Sequence, residues 1–165
     1  MYKLKSLSKS AISGALKKAE RYRLLNEPRL AESICQDILE INPENHDALV
    51  MLLLSITDQF GIEGSKNEKR TRELLPRLKD EYEQNYYAGI ICERLGTAAI
   101  NKGLPRSIYI AYEWMRDAME YFEKAEAIRP SSNDDSILRW NTCVRLIERY
   151  KLEPEVEDTT EHFLE

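Results

Sequence analysis

Residues 31–50 repeat at 118–137 without a gap, always at an offset of 87. Ala31 aligns with Ala118, Cys35 with Phe122, Ile38 with Ala125, Ile41 with Ile128, Pro43 with Pro130, Asp47 with Asp134 and Val50 with Ile137. What repeats is an apolar stripe stepping by three and four, a terminating proline and the opening of another stripe. That is the end of one helix and the start of the next. Internal periodicity of this kind marks stacked helical hairpins, because a hairpin with two apolar sides cannot bury both alone.

The rest of the chain reads the same way. Ile12, Ala15, Leu16, Ala19 and Tyr22 share one helix face, and Asn26-Glu27-Pro28 interrupts them, with Pro28 suited to open the next helix. Leu30 to Ile41 forms the second stripe, ended by Asn42-Pro43. A third helix is expected from near Asn45 to Phe60, capped by Gly61, then a loop over Gly61–Asn67 and a capping box of Ser65 with Glu68. The fourth helix carries Leu74, Leu75 and Leu78 and is expected to kink or restart at Pro76. The fifth spans about Glu83–Lys102 with Tyr86, Ile90, Leu95 and Ala99 among its apolar positions, and Gly103-Leu104-Pro105 stops it. The sixth, about Arg106–Ile128, buries Ala111, Met115, Ala118, Phe122 and Ala125, with a second line of Ile110, Trp114 and Tyr121. The seventh, Asp134–Tyr150, buries Ile137, Trp140, Val144 and Ile147.

Composition supports an all-α chain. Six Gly and six Pro in 165 residues leave few turns, and three valines supply little material for strands. The longest apolar run, Ala48–Leu54, is far short of the ~20 residues of a membrane span. Cys35, Cys92 and Cys143 are odd in number and flanked by apolar residues, so they read as small buried hydrophobes of a cytoplasmic protein. The net charge is −5, but residues 1–25 hold +6 and residues 153–165 hold −6. That balance argues against nucleic acid as a partner.

The spacing of Ala, a large residue four on, and a closing Pro is that of the second helix in a tetratricopeptide hairpin of ~34 residues. The sequence resembles that family over residues 11–150, best at 12–45, where Ala19, Tyr22, Ala31 and Pro43 stand at the matching positions. Lys18, Ala15 and Cys35 depart from the pattern, and the unit at 46–82 has no closing Pro. The resemblance implies a right-handed α-α superhelix of about seven antiparallel helices, three and a half hairpins, over residues 1–152, followed by an acidic tail at 153–165. It also implies a concave groove, lined mainly by the first helix of each hairpin, that receives a peptide from a partner. The carboxylate clamp of the chaperone-binding members is not matched, since the corresponding pairs are Leu16 with Glu20, Val50 with Leu54 and Asp135 with Arg139.

Catalytic chemistry finds little footing. His46 and His162 belong to no metal-ligand cluster, no glycine-rich phosphate loop occurs, Cys35 with His46 is a poor nucleophile pair, and Asp134-Asp135 reads as a helix N-terminus. No cofactor, no metal and no membrane partner are expected, and the chain reads as a non-enzymatic adaptor. The candidate partner-binding residues are Tyr86, Tyr87, Glu93, Arg139, Thr142, Arg145 and Arg149. Tyr82, Tyr86 and Tyr87 cluster so that at least one should face away from the core, while Trp114 and Trp140 read chiefly as packing. The arginines form a stripe that could hold an acidic peptide, or the chain's own Glu153–Glu165 segment as an autoinhibitory latch with His162-Phe163-Leu164 docking at its end. The alternative role is a structural subunit of a homo-oligomer, a homodimer for instance, in which a neighbour covers the exposed last helix.

Overall fold

The computed structural model describes residues 1–156, and among them seven α-helices occur and no strand. They are α1 Ile12–Leu24, α2 Pro28–Ile41, α3 His46–Thr57, α4 Phe60–Leu74, α5 Glu81–Lys102, α6 Ser107–Ala127 and α7 Asp135–Tyr150. Short 3-10 turns precede α1 at Lys9–Ala11 and follow α4 at Leu75–Arg77. No helix among the described residues is long and apolar enough to cross a membrane.

The punctuation of the sequence accounts for most boundaries. Asn26 takes a left-handed conformation (φ 59°) and Glu27 N–H reaches back to Tyr22 O at 2.8 Å, which closes α1 before Pro28 opens α2. Asn45 Oδ1 accepts the Ala48 N–H at 2.9 Å and caps α3, and Asp80 Oδ1 accepts the Tyr82 N–H at 3.2 Å and caps α5. Gly103 (φ 61°) ends α5, a conformation glycine adopts without a Cβ penalty. Pro76 stops α4 outright, its place being in the 3-10 turn.

Each helix packs on the next, and α1, α3, α5 and α7 also touch in succession, so they form a continuous row. Two apolar clusters hold the stack. One gathers Ala19, Ala31 and Cys35 with Leu49, Leu53, Ile56 and Phe60; the other gathers Ile90 and Cys92 with Ala111, Met115, Ala118, Phe122 and Cys143. Three of the positions matched at the offset of 87 are fully inaccessible on both sides, Ala31, Cys35 and Ile38 and their counterparts Ala118, Phe122 and Ala125. The three cysteines are free and buried, as expected.

Two expectations are corrected. The segment Gly61–Asn67 is helical and not a loop: α3 stops at Thr57, Asp58 and Gln59 make the turn, and α4 starts at Phe60 with a kink at Glu63 (φ −131°, ψ 58°). Gly61 therefore caps nothing, and Ser65 lies inside α4 while Glu68 pairs with Arg72 at 2.9 Å. Phe60 opens α4 with its ring buried in the first cluster. On α7, Ile137, Trp140, Val144 and Ile147 are only half-buried, and the fully buried positions are Ser136 and Cys143. As the last helix of the described stack, α7 is covered on one side only.

Candidate partner-binding site

The residues singled out from the sequence divide between two places. Tyr82 and Tyr86 stack with ring centroids 5.9 Å apart, Tyr87 meets Tyr86 edge-on at 5.1 Å, and Tyr86 tilts against Phe122 at 5.9 Å. Tyr82 is buried and the other two are half-buried, so none of the three faces freely outward. Burial pushes the Tyr87 hydroxyl up to about 12. The heptad-like seam between α5 and α6 turns this side of α5 inward, which is why the cluster serves packing.

Glu93 is 4% exposed and faces α7, where Arg139 Nη1 donates to its Oε1 at 3.2 Å. Burial raises the Glu93 carboxyl above the usual range, and Arg139 and Arg94 offset part of that rise. For Arg139, burial alone would lower the pKa, but Glu93 and Tyr86 outweigh it and hold the guanidinium charged. Arg139 is thus drawn into the α5–α7 joint and leaves the expected surface stripe. Thr142 Oγ1 donates to Leu138 O at 3.0 Å within its own helix. Arg145 and Arg149 remain exposed, the latter with its guanidinium carbon 5.7 Å from the Tyr150 ring centre. The acidic segment does not lie on this stripe where it is described: Glu155 pairs with Arg106, between α5 and α6, at 2.7 Å. The positions from 157 onward, including His162-Phe163-Leu164, lie outside the described residues.

The nucleophile pair considered from the sequence does not form. Burial pushes the Cys35 thiol up to about 12, and His46 bonds Glu83 on α5 and Asp47 beside it.

A second place carries no motif in the sequence. The row of α1, α3 and α5 encloses a groove of about 710 Å³. Met51, Leu54 and Ala98 give it an apolar floor, the exposed Leu24 also lines it, and Arg23, Asp58, Arg94, Asn101 and Lys102 give it polar walls. Its centre is Asp58, just past the end of α3. Arg23 of α1 grips it with two bonds, Nε to Oδ2 at 2.7 Å and Nη2 to Oδ1 at 3.3 Å. Arg94 of α5 donates to Oδ1 at 3.3 Å from the other side. One carboxylate thereby ties three helices together, and two guanidinium groups converge on one point of the groove. The lining positions recur at helical spacing, 20, 23 and 24 on α1, 51, 54 and 57 on α3 with 58 just past its end, 94, 98 and 101 on α5. Glu20 and Leu54 belong to the first-helix pairs compared with the clamp, so the resemblance pointed at part of this surface.

No protein-family model, no curated protein and no solved structure matches the chain.

Proposed function

We propose that the protein is a non-enzymatic, tetratricopeptide-like interaction scaffold that receives an acidic segment of a partner protein in the groove of α1, α3 and α5. The observation that carries this reading is the convergence of Arg23 and Arg94 on Asp58 within that groove. Three cations, Arg23, Arg94 and Lys102, line the groove against two acids, Glu20 and Asp58. An incoming carboxylate shares the two guanidinium forks with Asp58, and planar guanidinium groups suit carboxylates because they donate two parallel bonds. The apolar floor takes the side chains between the acids, and arginines in partly desolvated pockets are frequent anchors of such interfaces. A right-handed superhelical row of first helices would present this surface as its concave face. A cytoplasmic setting accords with three buried, unpaired cysteines.

The reading is tested by placing a photo-crosslinking residue at Asn101, in the groove, or at Lys69, an exposed position of α4 outside it. Crosslinks to a partner are expected from position 101 alone. Arg94→Ala should weaken the binding of acidic peptides about tenfold, the equivalent of one charge-assisted bond of ~1.4 kcal/mol. Equal crosslinking from both positions, or peptide binding indifferent to Arg94→Ala, would overturn it.

A further inference from the structure

Beyond the groove, the two ends of the described stack carry complementary features. At one end, residues 1–8 form no helix, and Met1, Tyr2 and Leu4 stand fully exposed with Lys3 and Lys5 between and beside them. These three large apolar side chains bury almost nothing against their own chain. At the other end, α6 and α7 enclose a cleft of about 380 Å³ lined by Tyr112, Met119, Trp140 and Ile147, with Arg116, Glu120 and Glu123 at its edge. A cavity of ~150 Å³ accepts a benzene-sized group, so this cleft has room for two side chains. Charge completes the match. At the cleft edge Glu120 and Glu123 stand beside Arg116, whose guanidinium is taken up by Glu113 and Asp117. Glu120 shares Lys124 at 2.9 Å, Glu123 has no ion-pair partner among the described residues, and residues 1–9 carry three lysines and no acid.

We propose that the α6–α7 cleft is a docking site for residues 1–5 of a second copy of this chain, with Tyr2 and Leu4 seated in the cleft and Lys3 and Lys5 over Glu120 and Glu123. The contact joins opposite ends of two molecules. Mutual exchange of the segment closes a two-fold dimer, whereas one-way donation propagates a chain of copies. The half-buried Trp140 and Ile147 of α7 are then covered by the neighbour.

The test is a charge exchange in the full chain. One variant carries Lys3→Glu with Lys5→Glu, and the other carries Glu120→Lys with Glu123→Lys; sedimentation and light scattering are read in low salt, where the screening length is ~10 Å or more. The parent is expected to exceed the monomer mass as concentration rises. Each variant alone should stay monomeric, since its segment repels its own cleft. An equimolar mixture should associate again, because both contacts between unlike variants regain opposite charge. Circular dichroism confirms folding, and Tyr2→Asp with Leu4→Asp removes the apolar anchors where the parent structure has no contact to lose. A parent that is monomeric at every concentration overturns the proposal. So does association that survives in either charge variant or in the Tyr2/Leu4 variant, or a mixture that fails to associate.

Discussion

Where α5 meets α6, the buried side chains are Gly89, Cys92, Gly96 and Ala99 against Ala111, Met115, Ala118, Phe122 and Ala125. Where α3 turns into α4, they include Ser55, Thr57, Gln59, Asn67 and Thr71. The first seam is dry and repeats every seven residues on both helices, the pattern of two helices packed over several turns. Small residues let the backbones approach, so close that a Cβ built on Gly89 would lie 2.5 Å from the Phe122 ring and one on Gly96 2.8 Å from Met115. The corner is held by directed bonds instead. Gln59 Nε2 donates to Glu32 Oε2 at 2.8 Å and to Ser55 O at 3.0 Å, Asn67 Nδ2 donates to Gln59 O at 3.3 Å, and Arg70 bridges Glu32 and Asn67. Hydrogen bonds hold a turn and a kink at Glu63 that apolar packing alone would leave undefined, yet each adds only ~1 kcal/mol net. The comparison separates a part of the fold set by shape from a part set by bonding, and the groove lies where the two meet, with Arg94 on α5 and Asp58 in the corner.

The largest effect should come from filling the dry seam. Gly89→Ala or Ala118→Leu forces Phe122 or the facing backbone to move, an overpacking of ~1–3 kcal/mol. For a chain of this size the melting temperature should fall by ~2–4 °C per kcal/mol. A melt of Ala118→Leu that coincides with the parent's would break the claim that shape sets this seam.

The same substitution should change sign in the corner. Nothing lies within 4 Å of a Cβ built on Gly64 in α4, and its φ is not positive. Gly64→Ala should therefore raise stability by ~0.4–1 kcal/mol, chiefly by restricting the unfolded chain. Denaturant unfolding of the two glycine variants side by side measures the contrast. Losses of equal size at both positions would show that the corner is packed as tightly as the seam.

How much of this was readable beforehand follows the same division. The stripe Ala111, Met115, Ala118, Phe122 and Ala125 was legible because a dry seam writes itself as apolar periodicity, and all five are fully buried. On α5, Tyr86, Ile90, Leu95 and Ala99 are legible as apolar positions, and Ile90 and Ala99 do pack in the cluster shared with α6, but Gly89 and Gly96, which let the two helices close, carry no apolar signal. The corner was misread as a loop because Gly61, Gly64 and Ser65 look like breakers, while Gln59 and Asn67, which secure it, look like surface residues. Of the candidate site, Glu93, Arg139 and Tyr86 do come together, but as the α5–α7 joint. Sequence spacing placed Arg139 on a face without showing that α5 would offer it a buried carboxylate. The groove stayed hidden because its residues come from three helices, and only their stacking makes one surface of them.

The smallest expected effect joins the two regions. His46 opens α3, and its Nε2 lies 2.7 Å from Glu83 Oε2 in the first turn of α5, with Nδ1 3.3 Å from Asp47 Oδ1. The bond to Glu83 raises the His46 pKa, with burial opposing it and Asp47 assisting. A group whose pKa is higher in the folded chain binds its proton more tightly there, so its contribution to stability is complete below the unfolded value of ~6.5. That contribution is lost as pH climbs through the higher folded value. Glu93, raised by burial, tilts stability in the same direction, so the parent's pH profile alone cannot isolate the histidine. The difference between the parent and His46→Gln does. The side chain is about half exposed, and an exposed pair contributes only ~0.2–1 kcal/mol. Thermal unfolding from pH ~5.5 to ~8 should show the parent ahead of the variant at the acid end and the gap closing as His46 loses its proton. A gap that stays constant across this range would mean that the contact between α3 and α5 rests on packing, and that the charge on His46 contributes nothing to it.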